Sequence, residues 1–494
     1  MPTKTWVFGS KALADGSLRL LRMESFDALS RLYEIVVDVQ ATDDDLVLET
    51  KLAALLSEPA YVATGYATED RRWGVLRSIE LVTVAGHARP IYRAVLVPRL
   101  WYAMQTHRSR VFLDLTVPEI VASVFNGMGL LVHDDYRVPG STYPKREYVV
   151  QYEETDYAFV SRLLEDEGIA LHFDHGAQRE VIVLSDSNSG MRRPESLRHV
   201  KYRDSAVFEE EAVFGVTHKR KMVPRDVVLI DYDWRKPAVG LLEVARVHKE
   251  GRGLYFSGAQ HFRDKANGVR LAKIRAEELR VEREVYRGKS TIGDLRAGDV
   301  FTLEVPVTWG AASQSPPPPR PELDGDYLVI EVRKRLDQRF DQAGAHAGSD
   351  QGDEFVAIRA DVTYRPPRTT PKPRIDGVLY ATIDSPDLNI PAPIDAEGRY
   401  KVVLPFDLAA QAGGRASRWI RMAQPLSGAG YGVHFPLHEG AEVVLAHVQG
   451  DPDRPVIVGA VPNAQTPSPV TSRNATQSIV RTSTGIFMEF EDDA

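Results

Sequence analysis

The sequence predicts a mainly β fold with α+β segments, made of a large β-rich body followed by a compact barrel. Three observations support this prediction. Short β-branched segments broken by turn residues dominate the chain, and helical apolar spacing appears in only a few places. Four prolines between Tyr364 and Gly377 then separate the body from five further strand-like segments.

Composition narrows the possible functions. The 494 residues are 43% hydrophobic, which is enough for several cores. The sequence has no cysteine, which excludes disulfides, thiolate-bound zinc and cysteine nucleophiles. A net charge of -8 argues against a non-specific nucleic-acid binder and against a membrane-surface protein. Because the N-terminus has no signal-peptide pattern and no apolar run approaches a membrane span, we expect a soluble chain made in the cytoplasm.

The first block, up to about residue 115, predicts a barrel or sandwich. Segments such as "LYEIVVDVQ" and "PIYRAVLVPRLW" are strand-like, with one helical interlude at "VLETKLAALL". A helix follows in "VPEIVASVFNGMG", where Pro118 stands at the helix start. Together with the strand–helix–strand segment that begins at Val150, this helix predicts a mixed α+β block.

The segment "VQYEETDYAFVSRLLEDEGIALHFDH" predicts a strand, a helix and a second strand. Thr155 is a candidate N-cap and Gly168 a candidate helix end. The apolar stripe of the helix consists of Tyr157, Val160, Leu163 and Leu164. We therefore expect Leu163→Ala to destabilise the protein by roughly 2 to 5 kcal/mol. Ile169, Leu171 and Phe173 then alternate with less apolar residues, as in a half-buried strand.

The polar residues of this segment indicate a structural role rather than a catalytic centre. Glu165, Asp166 and Glu167 lie off the apolar stripe, where charges usually face solvent. We therefore expect Glu165→Gln combined with Glu167→Gln to leave folding nearly unchanged. His172 and His175 point to opposite faces of the predicted strand, so ordinary surface histidines are favoured over metal ligands.

Strands return after this block and continue to the proline-rich boundary. A helix interrupts them in "ANGVRLAKIRAEELRVEREVYRG". Its apolar side consists of Val269, Ala272, Ala276 and Leu279. "SQSPPPPRPELDG" and "DQAGAHAGSDQGDE" predict loops between strands of one barrel. We expect two protease-sensitive linkers. Residues 337–354 are small, polar and glycine-containing, and residues 366–376 leave few backbone groups paired.

Residues 376–465 predict a five-stranded OB-type barrel. The proposed strands are "GRYKVVLPF", "SRWIRMAQPL", "YGVHFPL", "AEVVLAHVQ" and "PVIVGAVP". OB folds often bind nucleic acid, but this range contains ten acidic and six basic residues. Four net negative charges oppose a groove that must follow phosphates, so no nucleic-acid partner is predicted.

The sequence contains no complete catalytic or phosphate-binding motif. "YRGKST" resembles the end of a P-loop, but Arg283 stands where that loop needs glycine. We find no G-x-S-x-G and no H-E-x-x-H pattern. The densest group of possible metal ligands is His434, His438, Glu439 and His447. They are spread across a predicted strand end and turn, so we interpret them as polar surface residues rather than metal ligands. We predict no catalytic, cofactor-binding or metal-binding residues.

Taken together, several segments resemble one family. "REYVVQYEETDYAFVSRLLEDEGIALHFDH" resembles the signature block of VgrG proteins, the trimeric spikes of type VI secretion systems. Further segments follow in the family's order: "DYDWRKP", "STIGDLRAGDVFTL", "DGDYLVIEV", "FVAIRADVTYRPP" and "DAEGRYKVVLPFD". The resemblance covers nearly the whole chain and extends to spike hubs of extracellular contractile injection systems and T-even phage tails.

The resemblance implies a structural, non-enzymatic spike at the tip of a contractile apparatus. It implies a homotrimer that adapts a hexameric tube protein to a threefold needle. A PAAR-repeat tip protein, secreted effectors and baseplate components are the other implied partners. The spike would be assembled in the cytoplasm and ejected on contraction. Two alternatives remain: a spike carrying an envelope-degrading hydrolase activity, and the hub of an extracellular contractile injection system.

The resemblance also implies a domain division. Residues 1–375 would form a phage-hub-like base of two related barrel domains, 376–465 the OB fold, and 466–494 the neck and start of a trimeric β-helix needle. In "TGIFMEFEDDA", Ile486, Met488 and Phe490 share one face of an extended strand. We predict that these three residues line the trimer axis, because a lone strand cannot bury them. A frayed tail is the alternative.

Overall fold

The computed structural model of the chain describes residues 6–42, 48–64, 71–82, 89–176, 178–203, 211–258, 260–305, 321–337, 353–387, 390 and 392–492. They fall into two compact units. Unit 1 takes in 1–106, 117–144 and 156–371. Unit 2 takes in 107–116, 145–155 and 372–494.

Strands dominate both units. In chain order they are β1 (Trp6–Ser10), β2 (Leu18–Ala28), β3 (Glu34–Ala41), β4 (Ala60–Thr64), β5 (Arg72–Val82), β6 (Ile91–Val97), β7 (His107–Leu115), β8 (Tyr136–Arg137), β9 (Arg146–Thr155), β10 (Ala170–His175), β11 (Glu180–Ser185), β12 (Val200–Arg203), β13 (Ala212–Arg220), β14 (Asp226–Asp231), β15 (Leu241–Arg246), β16 (Leu254–Gly258), β17 (Glu284–Ser290), β18 (Val300–Glu304), β19 (Gly325–Asp337), β20 (Asp353–Arg359), β21 (Leu379–Asp384), β22 (Arg399–Val403), β23 (Ile420–Arg421), β24 (Leu426–Gly428), β25 (Tyr431–Val433), β26 (Glu442–His447), β27 (Pro455–Ala460), β28 (Gln477–Arg481) and β29 (Phe487–Glu491). The α-helices of the described residues are α1 (Leu52–Ser57), α2 (Val117–Gly127), α3 (Asp156–Glu167) and α4 (Lys265–Val281).

Unit 1 contains two runs of six strands with the same strand order. The first run is β1-β4-β5-β6-β3-β2, and the second is β12-β18-β19-β20-β17-β13. In both runs the order of appearance is first, fourth, fifth, sixth, third, second. The second run closes into a barrel because β13 also pairs with β12, and β2 pairs with β19 to join the runs. The two predicted barrel domains are therefore related in topology.

The runs differ in one strand direction. β12 is parallel to both β13 and β18, whereas β1 is antiparallel to β4. Aromatic rings fill the second barrel: Phe301 lies 5.4 Å from Tyr327 and 5.6 Å from Phe355 between ring centroids. Gly288 on β17 faces this packing, since an added Cβ would lie 2.6 Å from the Phe355 ring. Glycine is therefore required there by close packing.

The signature segment forms strand, helix and strand as predicted, as β9, α3 and β10. Gly168 ends α3 with φ +68°, a conformation that favours glycine. An added Cβ there would also lie 2.6 Å from Ile274 Cγ2. The prediction of a half-buried strand after Gly168 is wrong. Ala170, Leu171, His172 and Phe173 are all buried, because both faces of β10 are covered.

Helix α4 lies on a three-stranded sheet with the order β15-β14-β16. The core between them contains Val227, Leu229, Leu241, Leu271, Ala272 and Ala276, with Leu279 partly buried. The predicted apolar side is therefore correct at three positions. It is wrong at Val269, which is 49% exposed, because Leu271 takes the buried position of that turn instead.

The two loop predictions in the second barrel fall mainly outside the described residues, which omit 306–320 and 338–352. The boundary between the two units, after Pro371, lies within the predicted linker 366–376, but the expectation of few paired backbone groups there is wrong. The backbone N–H groups of Arg368, Thr369 and Thr370 donate to side-chain carboxylates, and that of Ile375 donates to the Gly450 carbonyl at 2.9 Å. Proline excludes regular structure here, but side chains satisfy the backbone instead.

Unit 2 contains a five-stranded barrel with the order β23-β22-β21-β26-β27. A parallel bridge between Met422 and Ile457 brings β23 and β27 together, which closes the barrel. One proposed strand is wrong: "YGVHFPL" supplies β25, which pairs only with β24 in a separate hairpin within the described residues. The fifth barrel strand is β21, which precedes all five proposed segments.

Unit 2 also includes β7 and β9, which pair with each other far upstream in the sequence. The Val150 N–H donates to Asp453 Oδ1 at 2.7 Å, and Tyr152 contacts Phe406 edge to face. A single cut at 375/376 therefore does not separate the two compact units, while the domain boundaries at 375 and 465 stay predictions. Across the described residues, no helix is long and apolar enough to cross a membrane.

Candidate functional site

The carboxylates of α3 are buried, which corrects the prediction of a solvated face. Glu165 and Glu167 are both under one-tenth exposed, while Asp166 is half-buried. The reason is that a second layer lies against both glutamates. This layer consists of α4 and the chain that follows β20.

Glu165 holds the chain that follows β20 in place. Its Oε2 accepts the backbone N–H of Thr369 at 3.0 Å and that of Thr370 at 2.9 Å. Its Oε1 accepts the Thr370 hydroxyl at 2.8 Å. A carboxylate with two backbone donors satisfies a proline-interrupted segment that has no regular partner. The role of Glu165 is structural.

Glu167 and Arg275 join α3 to α4. Arg270 Nη1 donates to Glu167 Oε2 at 2.7 Å, and the Glu167 side chain is almost fully buried. Arg275, also buried, donates to the Glu165 carbonyl at 3.2 Å and to Glu278 at 2.8 Å. Burial lowers the pKa of Arg275, with neighbouring Arg368 contributing in the same direction. Glu165 and Glu167 are therefore engaged in structural contacts, whereas hydrolysis needs an accessible acid–base pair.

His172 and His175 are not the surface histidines that the sequence predicts. His172 is buried, and burial with nearby Arg192 and Arg137 lowers its pKa to about 4, against an opposing effect of Asp174. His175 Nδ1 accepts the Trp73 backbone N–H at 3.2 Å. Burial also lowers the pKa of His175 well below the usual range. Both histidines are neutral packing residues at neutral pH.

The four candidate ligands near the C-terminal barrel do not form a metal site. No three among His434, His438, Glu439 and His447 bring ligand atoms within the 4.8 Å of one another that a shared ion needs. His434 instead stacks on Tyr400 and shares a 2.7 Å hydrogen bond with Gln424.

The predicted axial residues lie on a terminal hairpin. Strand β29 pairs antiparallel with β28, with Val480 opposite Met488 and Ser478 opposite Phe490. The expectation of a lone terminal strand is therefore wrong, since a turn at Gly485 with φ +96° returns the chain. Because paired residues share a face, Val480 joins the predicted apolar row. Sequence spacing could not show this, since it depends on the hairpin register.

This apolar row is open in the single chain. Ile486 is 74% exposed, Phe490 is 59% exposed, and all five residues of β29 are exposed. On the opposite face, Gln477 donates to Glu489 at 3.1 Å and Arg481 lies over the Phe487 ring. The hairpin thus has one face with the apolar row, and a mixed face on which Ile479 lies among charged residues. The apolar row is suited to burial against other chains rather than to chemistry.

Two family models match the chain. "Phage tail baseplate hub (GPD)" matches residues 27–340, and "Type VI secretion system/phage-baseplate injector OB domain" matches residues 393–461. The first match begins at the end of β2 and extends through β19, so it omits β1 and β20 of the two strand runs. The second covers β22 to β27 of the closed barrel. The matches agree with the OB-type barrel and the hub-like base expected from the sequence.

Curated relatives agree with the family models. The type VI secretion system spike protein VgrG1a of Pseudomonas aeruginosa is 30% identical over 471 residues, covering 93% of this chain and 70% of VgrG1a. The actin cross-linking toxin VgrG1 of Vibrio cholerae is 27% identical over 424 residues, which cover 84% of this chain but only 37% of the toxin.

A solved structure has the same fold. The Escherichia coli c3393 protein, described as a type VI secretion component similar to the T4 tail proteins gp27 and gp5, matches with a TM-score of 0.64 and 22% identity. The match covers 92% of this chain and 100% of c3393. At this identity it supports the fold alone. With the family models and VgrG1a, the chain belongs to the VgrG family of type VI secretion spike proteins, which are related to phage tail hubs.

Proposed function

We propose that the protein is a non-enzymatic, homotrimeric spike whose threefold axis is lined by Ile486, Met488 and Phe490. The observation that carries the proposal is the open apolar row on β29 in a chain of this family. Three hairpins arranged about an axis would remove these side chains from water. The glutamates on the other face would remain in solvent and discourage wider aggregation.

The spike acts mechanically in this proposal. Three chains with two barrels each would present six similar modules to a hexameric tube protein, and the matching strand orders of the two runs support this arrangement. Residues 1–375 are the base, 376–465 the OB domain and 466–494 the neck and needle start. A PAAR-repeat tip protein, baseplate components and secreted effectors are the proposed partners. Contraction would move the spike from the cytoplasm through a target envelope.

Family membership alone does not decide whether the spike also has an enzymatic activity. An envelope-degrading activity, the alternative considered from the sequence, would need an accessible acid–base pair. The carboxylates of α3 are engaged in structural hydrogen bonds and ion pairs instead. Peptidoglycan release by the purified protein would overturn the non-enzymatic assignment.

Mass in solution tests the assembly. Light scattering at micromolar concentration should give three times the 55.1 kDa of one chain. A monomeric mass at that concentration would reject the trimer. Coelution of a hexameric tube protein and a tip protein with the trimer would support the contractile setting.

A further inference from the structure

A cavity of about 370 Å³ lies in unit 1, at the end of β1 and beside β4 and β5. Tyr61 on β4 and Trp73 on β5 form aromatic walls. Lys11 and Asp15 reach it from the turn between β1 and β2, and Arg71 stands directly before β5. Cavities of roughly 300 to 1,000 Å³ are typical of small-molecule sites. The proposed spike function makes no use of this cavity.

The aromatic walls hold two cations at the cavity. The Tyr61 and Trp73 rings are each only 2% exposed, and their centroids lie 5.0 Å apart. The Arg71 guanidinium lies over both rings, at 4.0 Å from the Tyr61 centroid and 5.6 Å from the Trp73 centroid. The Lys11 ammonium lies 5.3 Å from the Trp73 centroid. These contacts attract both positive charges to the same wall.

The charges that line the cavity do not balance. Asp15 is the single carboxylate among the lining residues, against the cations Lys11 and Arg71. Both Asp15 oxygens are engaged, because Oδ1 accepts the Tyr61 hydroxyl at 2.6 Å and Oδ2 accepts Arg71 Nη2 at 3.0 Å. Lys11 forms no ion pair within the described part of the chain. The cavity therefore has one surplus positive charge.

Two buried donors at the cavity wall also lack acceptors. Arg71 Nε and Trp73 Nε1 have no hydrogen-bond partner among the described residues. The Arg71 side chain is 13% exposed, so water reaches little of it. Buried donors are normally paired, and a cluster of unpaired ones requires an explanation. Unpaired donors beside a surplus positive charge indicate a site for an oxyanion.

We propose that this cavity binds an apolar monocarboxylate, with the carboxylate between Lys11 and Arg71 and the apolar body against Trp73. A single carboxylate matches the single surplus charge, and Leu13 extends the apolar part of the wall. The same chemistry is offered by a free small acid and by the C-terminal residue of another polypeptide. The proposal does not depend on the trimer axis or on the spike function, because unit 1 of one chain forms the cavity.

N-Acetylphenylalanine tests the proposal with the full-length protein. Ligand-observed NMR titration at about 50 mM salt should give saturable binding with a Kd of about 1 mM or tighter. The matched neutral probe, N-acetylphenylalanine amide, should bind about tenfold more weakly, because it lacks the charge. Binding of the acid should also weaken at about 300 mM salt. Equal binding of acid and amide, or no saturable binding of the acid, would overturn the proposal.

A peptide distinguishes the two sources of the carboxylate. The probe is a ten-residue peptide that ends in phenylalanine, compared with the same peptide amidated at its C-terminus. Binding about tenfold tighter than that of N-acetylphenylalanine, and lost on amidation, would identify a chain end as the ligand. Equal affinity of the peptide and N-acetylphenylalanine would identify the terminal acid alone as sufficient. Both outcomes retain the carboxylate site.

Variants with opposite expected effects locate the site. Lys11→Gln should weaken binding of N-acetylphenylalanine about fivefold, because it removes the surplus charge. Lys51→Gln is the matched control, since Lys51 is an exposed lysine of the same unit that does not line the cavity, and it should leave binding unchanged. Asp15→Asn should strengthen binding about twofold or more, because it removes a negative charge beside the bound carboxylate. An unchanged affinity in Lys11→Gln, or a loss of binding in Asp15→Asn, would overturn the proposal.

Discussion

Single side chains in α3 replace the regular backbone pairing that the proline-rich segment lacks. Glu165 accepts from two successive backbone amides, and Glu167 pairs with Arg270 across to α4. Burial of these charges is tolerated because Glu165 accepts hydrogen bonds with both oxygens and Glu167 has a cationic partner. The signature segment of the chain is therefore a structural joint.

We predict that Glu165→Gln destabilises the protein by roughly 1 to 3 kcal/mol, because an amide cannot accept from the same donors with both terminal atoms. The structure thus reverses the near-neutral effect expected from sequence for this residue. Chemical denaturation measures the loss. Glu195→Gln is the control, as the Glu195 side chain is highly exposed and pairs with nearby Arg198. Equal stabilities of the two variants would contradict the assigned role.

Leu163→Ala should cost roughly 2 to 5 kcal/mol, because Leu163 is fully buried and a cavity would remain. The matched control is Leu131→Ala, which removes an exposed leucine of the same unit. Thermal melting compares the two variants with the wild type. An unchanged midpoint for Leu163→Ala would be inconsistent with its position in the core.

His172 should make stability depend on pH below about 6.5. Its folded pKa is about 4, so the unfolded chain takes up a proton between pH 6.5 and pH 4 that the folded chain does not. The free energy of unfolding therefore falls as pH falls through this window, by roughly 1 to 3 kcal/mol from this residue. Denaturation of His172→Gln should show a shallower pH slope than the wild type. Identical slopes would show that His172 titrates normally.

At the residue scale, the spacing of apolar residues predicted the buried stripe of α3. It did not predict whether the polar residues of α3 are buried or exposed. Val160, Leu163 and Leu164 are buried as expected, because periodicity reports the first face that a helix buries. The partner of Glu165 lies more than 200 positions away in the sequence. Local sequence patterns do not contain such a contact, so they cannot distinguish a buried charged residue from a solvated one. The same reason explains the error at His172.

At the element scale, helices and strands with clear periods were predictable, while strand partners were not. α2, α3 and α4 lie where their spacing placed them. β25 has strand composition but pairs only with β24 among the described strands, and β21 takes the barrel position instead. Pairing is set by the whole barrel, including the bridge at Met422, and composition alone does not encode it.

The segment 366–376 should resist proteolysis in the wild type. Trypsin can cut after Arg368, yet the backbone there is held by Glu278 and by Glu165 through Thr369. Cleavage requires the chain to detach locally, so the rate follows the local free energy of opening. Glu165→Gln should speed cleavage after Arg368 about fivefold or more, as read by mass spectrometry of early fragments. Immediate cleavage there in the wild type would show that these hydrogen bonds do not hold the segment.

At the scale of the whole molecule, the two strand runs of unit 1 give one chain two similar modules. Their common strand order lies in how the strands pair, which spacing along the sequence does not encode. One direction differs at β12, so the modules are related but not equivalent. Three chains would then contribute six modules around an axis, which fits a sixfold partner on one side and a threefold needle on the other.

Met488→Asp tests the axial placement. Three copies of the new carboxylate would meet near one axis, where burial and mutual repulsion both disfavour them, so the trimer should dissociate at concentrations where the wild type stays intact. Phe487→Asp is the matched control: Phe487 is adjacent, similarly exposed, and on the opposite face of β29 under Arg481. Its effect should be smaller, because the charge faces solvent.

Deleting residues 479–494 removes the hairpin pairing and should weaken the trimer less sharply than Met488→Asp, since it introduces no charge at the axis. Analytical ultracentrifugation across a dilution series ranks the three variants. An intact Met488→Asp trimer would place the axis elsewhere, and equal dissociation by both aspartate variants would show that the hairpin has no preferred inner face.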